Sequence, residues 1–135
     1  MRELTVEAVP EKLETVLAFI DEQLEQYGCG IRAQAAIDVA VDELFINIAK
    51  YAYSPKTGPA TVCIDVRKDP LSVEITFIDN GRQYDPLTAA EPDTSLPLDE
   101  RPIGGLGILI VKKSMDVVSY EYKDGKNILT IQKNI

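Results

Sequence analysis

Apolar residues recur along this chain with two periods, and the switches between them delimit its elements. Residues 2–8, RELTVEA, set Leu4, Val6 and Ala8 between polar neighbours, the alternation of a short strand. Pro10 suits the first turn of a helix, where its missing N–H costs nothing, and Leu13, Val16, Leu17, Ile20 and Leu24 follow at helical spacing. Gly28 and Gly30 predict a stop and a restart. A stripe of Ile37, Val41, Leu44, Phe45 and Ile48 predicts a second, longer helix from about Ile31 to Tyr53, ended by Ser54, Pro55 and Gly58. Period 2 returns in 60–67 (Val62, Ile64, Val66) and in 72–79 (Val73, Ile75, Phe77). With Asp69-Pro70 between them, these runs predict an antiparallel hairpin.

Residues 80–103 follow neither period. The segment is polar and acidic, carries Pro86, Pro92, Pro97 and Pro102, and reads as a long functional loop. Beyond it GGLGILIVKKSM opens a third helix, and Val117, Val118, Tyr120 and Tyr122 mark a strand. Asp124-Gly125 is a hairpin turn, and NILTIQK returns as the last strand. The order β-α-α-β-β-loop-α-β-β predicts an α/β (α+β) two-layer sandwich in which helices cover one face of a mixed, largely antiparallel sheet. Residues 1–135 are expected to form a single domain.

Composition narrows the function. Hydrophobic residues at 45% and charged residues at 27% describe a globular chain. No stretch approaches the ~20 apolar residues of a membrane span. The start, MRELTVEAVPEKLE, lacks a signal-peptide pattern, so a cytoplasmic location without membrane contact is expected. Lys and Arg total 14 against 22 Asp and Glu, a net charge of -8. Such a surface repels phosphate backbones and argues against nucleic-acid binding. A nucleotide can bind only where backbone amides, a few cations or a metal reverse the field locally. The absence of histidine excludes Ser-His-Asp and Cys-His nucleophilic sites, the commonest zinc ligand sets and a phosphohistidine relay. Cys29 and Cys63 form no CxxC pair and read as small reduced hydrophobes.

Three motifs carry candidate chemistry. On the second helix, DELFINIAKYAY (42–53) spaces Glu43, Asn47 and Lys50 at i, i+4, i+7, one row beside the apolar stripe, and Ala36 and Ala40 extend that face with small side chains. An amide oxygen there can coordinate Mg²⁺, an ammonium can meet a phosphate, and a carboxylate can take a proton from a hydroxyl. The same row also describes a solvated helix flank. The second motif, IDNGRQYDP (78–86), puts Asp79 at a strand end with Gly81 just beyond. A carboxylate there can accept a hydrogen bond from an exocyclic amine such as adenine's, and glycine permits close approach to a flat ring. An ordinary Asp-Asn-Gly turn has the same residues. The third, RPIGGLGI (101–108), opens a helix with Gly104, Gly105 and Gly107. It can cradle an anion on main-chain amides, or serve only as a flexible turn.

In this order the motifs resemble the N box and the two glycine boxes of the Bergerat-fold ATP-binding superfamily of gyrases, chaperones and histidine kinases. They are most similar to its branch of bacterial anti-sigma-factor serine/threonine kinases. The resemblance spans nearly the whole chain and implies a histidine-kinase-like ATPase fold. It implies Glu43 as general base, Asn47 as the Mg²⁺-binding residue and Lys50 as a phosphate contact. Asp79 would bind adenine, and Gly81, Gly104, Gly105, Leu106 and Gly107 would line the nucleotide. Residues 82–103 would form a lid over ATP, with Arg101 touching phosphate. ATP and Mg²⁺ are the implied cofactors. The implied activity is a serine/threonine protein kinase acting on a small anti-anti-sigma antagonist, with a sigma factor as second partner and a homodimer as the working form. The alternative within the same fold is a non-catalytic ATP/ADP-responsive module whose lid presents a protein-binding surface. Tyr51 departs from the histidine that many of these kinases carry, and the lid is unusually acidic and proline-rich.

Overall fold

The computed structural model describes residues 1–88 and 105–135. In chain order it contains β1 (Arg2–Glu7), a 3₁₀ turn (Pro10–Lys12), α1 (Leu13–Gln26), α2 (Ile31–Tyr51), β2 (Pro59–Arg67) and β3 (Ser72–Asp79). A second 3₁₀ turn (Pro86–Thr88), α3 (Gly105–Ser114), β4 (Val117–Lys123) and β5 (Lys126–Asn134) follow. The expected elements are all present. Asp124 (φ 54°) and Gly125 (φ 76°) supply the two left-handed residues of the tight turn between β4 and β5.

The sheet runs β1-β2-β3-β5-β4, and every pairing is antiparallel. The crossover through α3 does leave β3 and β4 pointing the same way. β5 inserts between them, so the parallel component of the expected mixed sheet is absent among the described residues.

The strand alternation has its cause in the layers. Val62 and Ile64 of β2, Val73, Ile75 and Phe77 of β3, and Leu129 and Ile131 of β5 are buried against the helices. Opposite them lie Val16, Ile20 and Leu24 of α1, Ile37, Val41, Leu44 and Phe45 of α2, and Ile108 and Val111 of α3. Each such side chain contributes about 1.5–3 kcal/mol on leaving water. The other sheet face carries polar cross-strand pairs, among them Thr5 with Thr61 and Thr76 with Thr130. Ala40 is fully buried in the core and Ala36 packs against it. What approaches these alanines is therefore the protein's own interior.

One pair across the α1–α2 contact is electrostatically strained. Asp21 Oδ1 and Asp38 Oδ1 are both buried, and among the described residues no other group donates to either. Burial, then a hydrogen bond and repulsion from Asp21, then Glu25, push Asp38 up to about 7. A carboxyl–carboxylate bond needs one shared proton, which the unfolded chain releases near pH ~4. The folded state therefore holds the extra proton between these values, and stability is lost as pH rises through 7. Asp38→Asn is expected to melt about 2–5 °C above the parent at pH 8, with the gap closing toward pH 4; thermal melts across that range check it.

Candidate functional site

A cleft opens where α2 ends against the sheet. Leu44, Asn47, Ile48, Tyr51 and Ala52 form one wall, and Asp79, Tyr120, Asn127 and Leu129 form the floor. Arg82, Tyr84 and Pro86 of the segment after β3 close one side.

Asp79 continues the inward row Val73, Ile75, Phe77 and is 5% exposed. A carboxylate in that place must find donors. Its Oδ1 accepts the Gly81 N–H at 2.9 Å and the Asn127 amide Nδ2 at 2.9 Å. Asn127 stands directly across from Asp79 in the β3–β5 ladder and is 6% exposed. Its Nδ2 also donates to the carbonyls of Arg82 (2.8 Å) and Gly81 (3.5 Å). Its Oδ1 accepts the Tyr84 N–H at 3.1 Å and the Tyr120 hydroxyl. Burial, followed by the Asp85 and Asp79 carboxylates, pushes the Tyr120 hydroxyl above its ordinary value, so it remains a donor.

The same segment fastens to the end of α2. Arg82 N–H bonds Ala52 O, its Nε bonds Tyr51 O and its Nη2 bonds Ser54 O, each at 3.0 Å. A guanidinium at a helix C-terminus satisfies orphan carbonyls and complements the dipole. A Cβ on Gly81 would collide with the Ala52 carbonyl. This glycine thus lets β3 pass close against α2, and its smallness serves the protein's own backbone. Tyr53 adds a further tie, its hydroxyl donating to Pro59 O at 2.6 Å and accepting the Asn80 N–H at 2.8 Å.

Of the polar row, Asn47 lines the cleft with Asp79. Glu43 is half-buried, and its carboxylate rests on Gly107 of α3, where any Cβ would overlap it. Burial and then Asp42 raise the Glu43 pKa, and Lys50 opposes them. Lys50 is exposed and is not part of the cleft wall. Gly105 and Leu106 begin α3; Arg101 and Gly104 lie outside the described residues, as does the lid beyond Thr88. The structure adds residues that the motifs did not single out: Asn127, Tyr120, Tyr84 and Arg82. Only Asn127 left a signal in the sequence, as a polar residue heading the inward series that Leu129 and Ile131 continue.

The family model described as the histidine kinase-like ATPase domain matches residues 6–133. The chain belongs to this family. Within it, the chain is 32% identical over 100 residues to the serine/threonine-protein kinase BtrW of Bordetella bronchiseptica, covering 74% of this chain and 70% of that one. It is 27% identical over 95 residues to the serine-protein kinase RsbW of Bacillus cereus, covering 67% of this chain and 58% of that relative. These relatives bear out the resemblance to the anti-sigma serine/threonine kinase branch. The fold is also that of a chain in the crystal structure of the SiaB–SiaC complex from Pseudomonas aeruginosa. That likeness has a TM-score of 0.57 at 19% identity and covers 98% of this chain and 89% of that one. No helix among the described residues is long and apolar enough to cross a membrane.

The resemblance would make the Asp79 carboxylate the acceptor for the adenine amine, and Asp79→Asn tests that expectation. In Asp79→Asn, the new amide must turn an N–H either toward Gly81 N–H and Asn127 Nδ2 or toward the ligand's own amine. Both are donor–donor contacts. Adenine-nucleotide affinity is expected to fall by about 1–3 kcal/mol, measured by titration calorimetry.

Proposed function

We propose that this chain binds Mg·ATP in the cleft and phosphorylates a serine or threonine of a small anti-anti-sigma antagonist, working as a homodimer that also holds a sigma factor. The observation that carries this reading is the convergence of Asn47 and Asp79 on one cleft, with Glu43 one turn back on the same helix. Kinase-named relatives support the activity, and the family supports the nucleotide.

The residues fit the implied groups. Asp79, in the floor of the cleft, can accept from an exocyclic amine. Asn47 offers a hard amide oxygen, the ligand type Mg²⁺ takes. Among the described residues no group of three or more His, Cys, Asp or Glu could hold a metal ion. A metal held by one or two protein oxygens together with phosphates suits such a site. When bound, Mg·ATP supplies the phosphoryl group and the cation that offsets its charge. Glu43 then takes the proton of the incoming hydroxyl, and its raised pKa makes it a better acceptor. The start of α3 offers main-chain amides to an anion. Positioning and charge stabilisation carry most of phosphoryl transfer, so this short inventory is sufficient.

The direct test is incubation with Mg·ATP and small proteins encoded beside this one, read by intact mass. A gain of one phosphoryl group on such a partner supports the kinase. Saturable binding without transfer assigns the nucleotide-responsive module instead, and no binding at millimolar nucleotide removes both. Glu43→Ala is expected to lower transfer by about 100-fold or more while leaving nucleotide affinity unchanged. Gly107→Ala puts a methyl where the carboxylate rests, so it is expected to lower transfer through the same group. Combined with Glu43→Ala it should add little further loss, which a double-mutant cycle checks. Transfer by the parent should fall on acidification at a pH above the ordinary glutamate range, because the Glu43 pKa is raised.

A further inference from the structure

We infer that Asn127 is a positioning residue that holds the Asp79 carboxylate in the orientation that selects a base bearing an exocyclic amine over one bearing a carbonyl at the same ring position. The inference deepens the adenine-nucleotide reading above and rests on it.

The orientation of the Asn127 amide is decided by groups of fixed polarity. The Tyr84 N–H can only donate, so the amide oxygen must face it. The Arg82 and Gly81 carbonyls can only accept, so the amide nitrogen must face them. The amide therefore cannot flip. With Nδ2 fixed on that side, one of its N–H groups points at Asp79 Oδ1 at 2.9 Å. The Gly81 N–H meets the same oxygen at 2.9 Å. Two irreversible donors on Oδ1 hold the carboxylate in one orientation, and a carboxylate held there can only accept from a ligand. A ligand amine completes that arrangement, whereas a ligand carbonyl sets acceptor against acceptor. Rejection by an unmatched buried polar group is the strong form of discrimination. Because Asn127 also holds the backbone of Gly81, Arg82 and Tyr84, base recognition and the start of the lid share one side chain.

The test compares Mg·ADP with Mg·IDP, whose base carries a carbonyl in place of the adenine amine, by calorimetry. The parent is expected to prefer ADP. In Asn127→Leu, with folding checked by melting and circular dichroism, the ADP:IDP preference should shrink by about tenfold or more. A folded Asn127→Leu with the parental preference overturns the inference, and so does a parent that binds both nucleotides equally. A parent that binds neither removes the nucleotide reading itself, which is a distinct result.

Should Asn127→Leu fail to fold, Asn127→Asp decides. Its new carboxylate faces Asp79 of β3, Tyr120 of β4 and the Arg82 and Gly81 carbonyls, with Asp85 nearby. At low pH one shared proton restores a donor to Asp79; at high pH the two charges repel. ADP affinity of Asn127→Asp should weaken by about tenfold or more between pH ~5.5 and ~8 relative to the parent. A profile parallel to the parent's overturns the inference.

Discussion

Asp79 lies at the end of a row of core side chains, and a carboxylate cannot remain there without donors. That single requirement shapes the corner around it. The Gly81 N–H turns back onto Oδ1, and Asn127 reaches across from β5 to the same atom. Asn127 then has one further N–H and two lone pairs to satisfy. It satisfies them on the backbone of residues 81–84 and on the Tyr120 hydroxyl. The chain leaving β3 is thus laid down by the hydrogen-bonding needs of two buried side chains. Removing either would strand several partners at once, each at about 1–3 kcal/mol.

The charge balance gives this corner its significance. With a net charge of -8, the surface as a whole does not attract polyphosphate. Arg82, beside the cleft, directs its guanidinium to the end of α2. Lys112 of α3 bonds the Leu87 carbonyl at 2.8 Å, tying that helix to the 3₁₀ turn after the cleft. These cations serve the scaffold. In the proposed function, phosphate recognition would therefore fall to oriented amides, to the Asn47 amide and to a metal that arrives with its phosphates. The base end would be fixed by the Asp79 carboxylate, which repels phosphate and accepts an amine. An acidic chain can in this way distinguish the two ends of its ligand.

Much of this was legible in the pattern of residues. Clean alternation in 60–67 and 72–79, and the helical stripe of 37–48, correspond to faces buried against one another. Asp124-Gly125 dictated its turn through the φ values it alone tolerates cheaply. What stayed hidden is tertiary. No local feature says that β5 inserts between β3 and β4. In NILTIQK the adjacent Ile128 and Leu129 blur which face is inward, and an asparagine beside a turn reads as a turn residue. Hence the partner of Asp79 could not be named from the motif that contains Asp79. Gly81 and Gly107 were conspicuous as glycines, yet the reason for each lies in another element: the Ala52 carbonyl for one, the Glu43 carboxylate for the other.

These two close approaches make α2 a rail with two fixed points. At Glu43 the helix meets α3 through Gly107, and at Ala52 it meets the end of β3 through Gly81 and Arg82. The residues are nine apart in sequence, or about 13.5 Å along the helix axis. Asn47 lies between them and inherits its direction from both. Inserting or deleting one residue in that interval would rotate the later part of the helix by about 100° relative to the earlier part. Asn47 could then no longer line the cleft with Asp79 while Glu43 rests on Gly107. The spacing of the polar row is thus matched to two close approaches at glycines, one of the Ala52 carbonyl to Gly81 and one of the Glu43 carboxylate to Gly107.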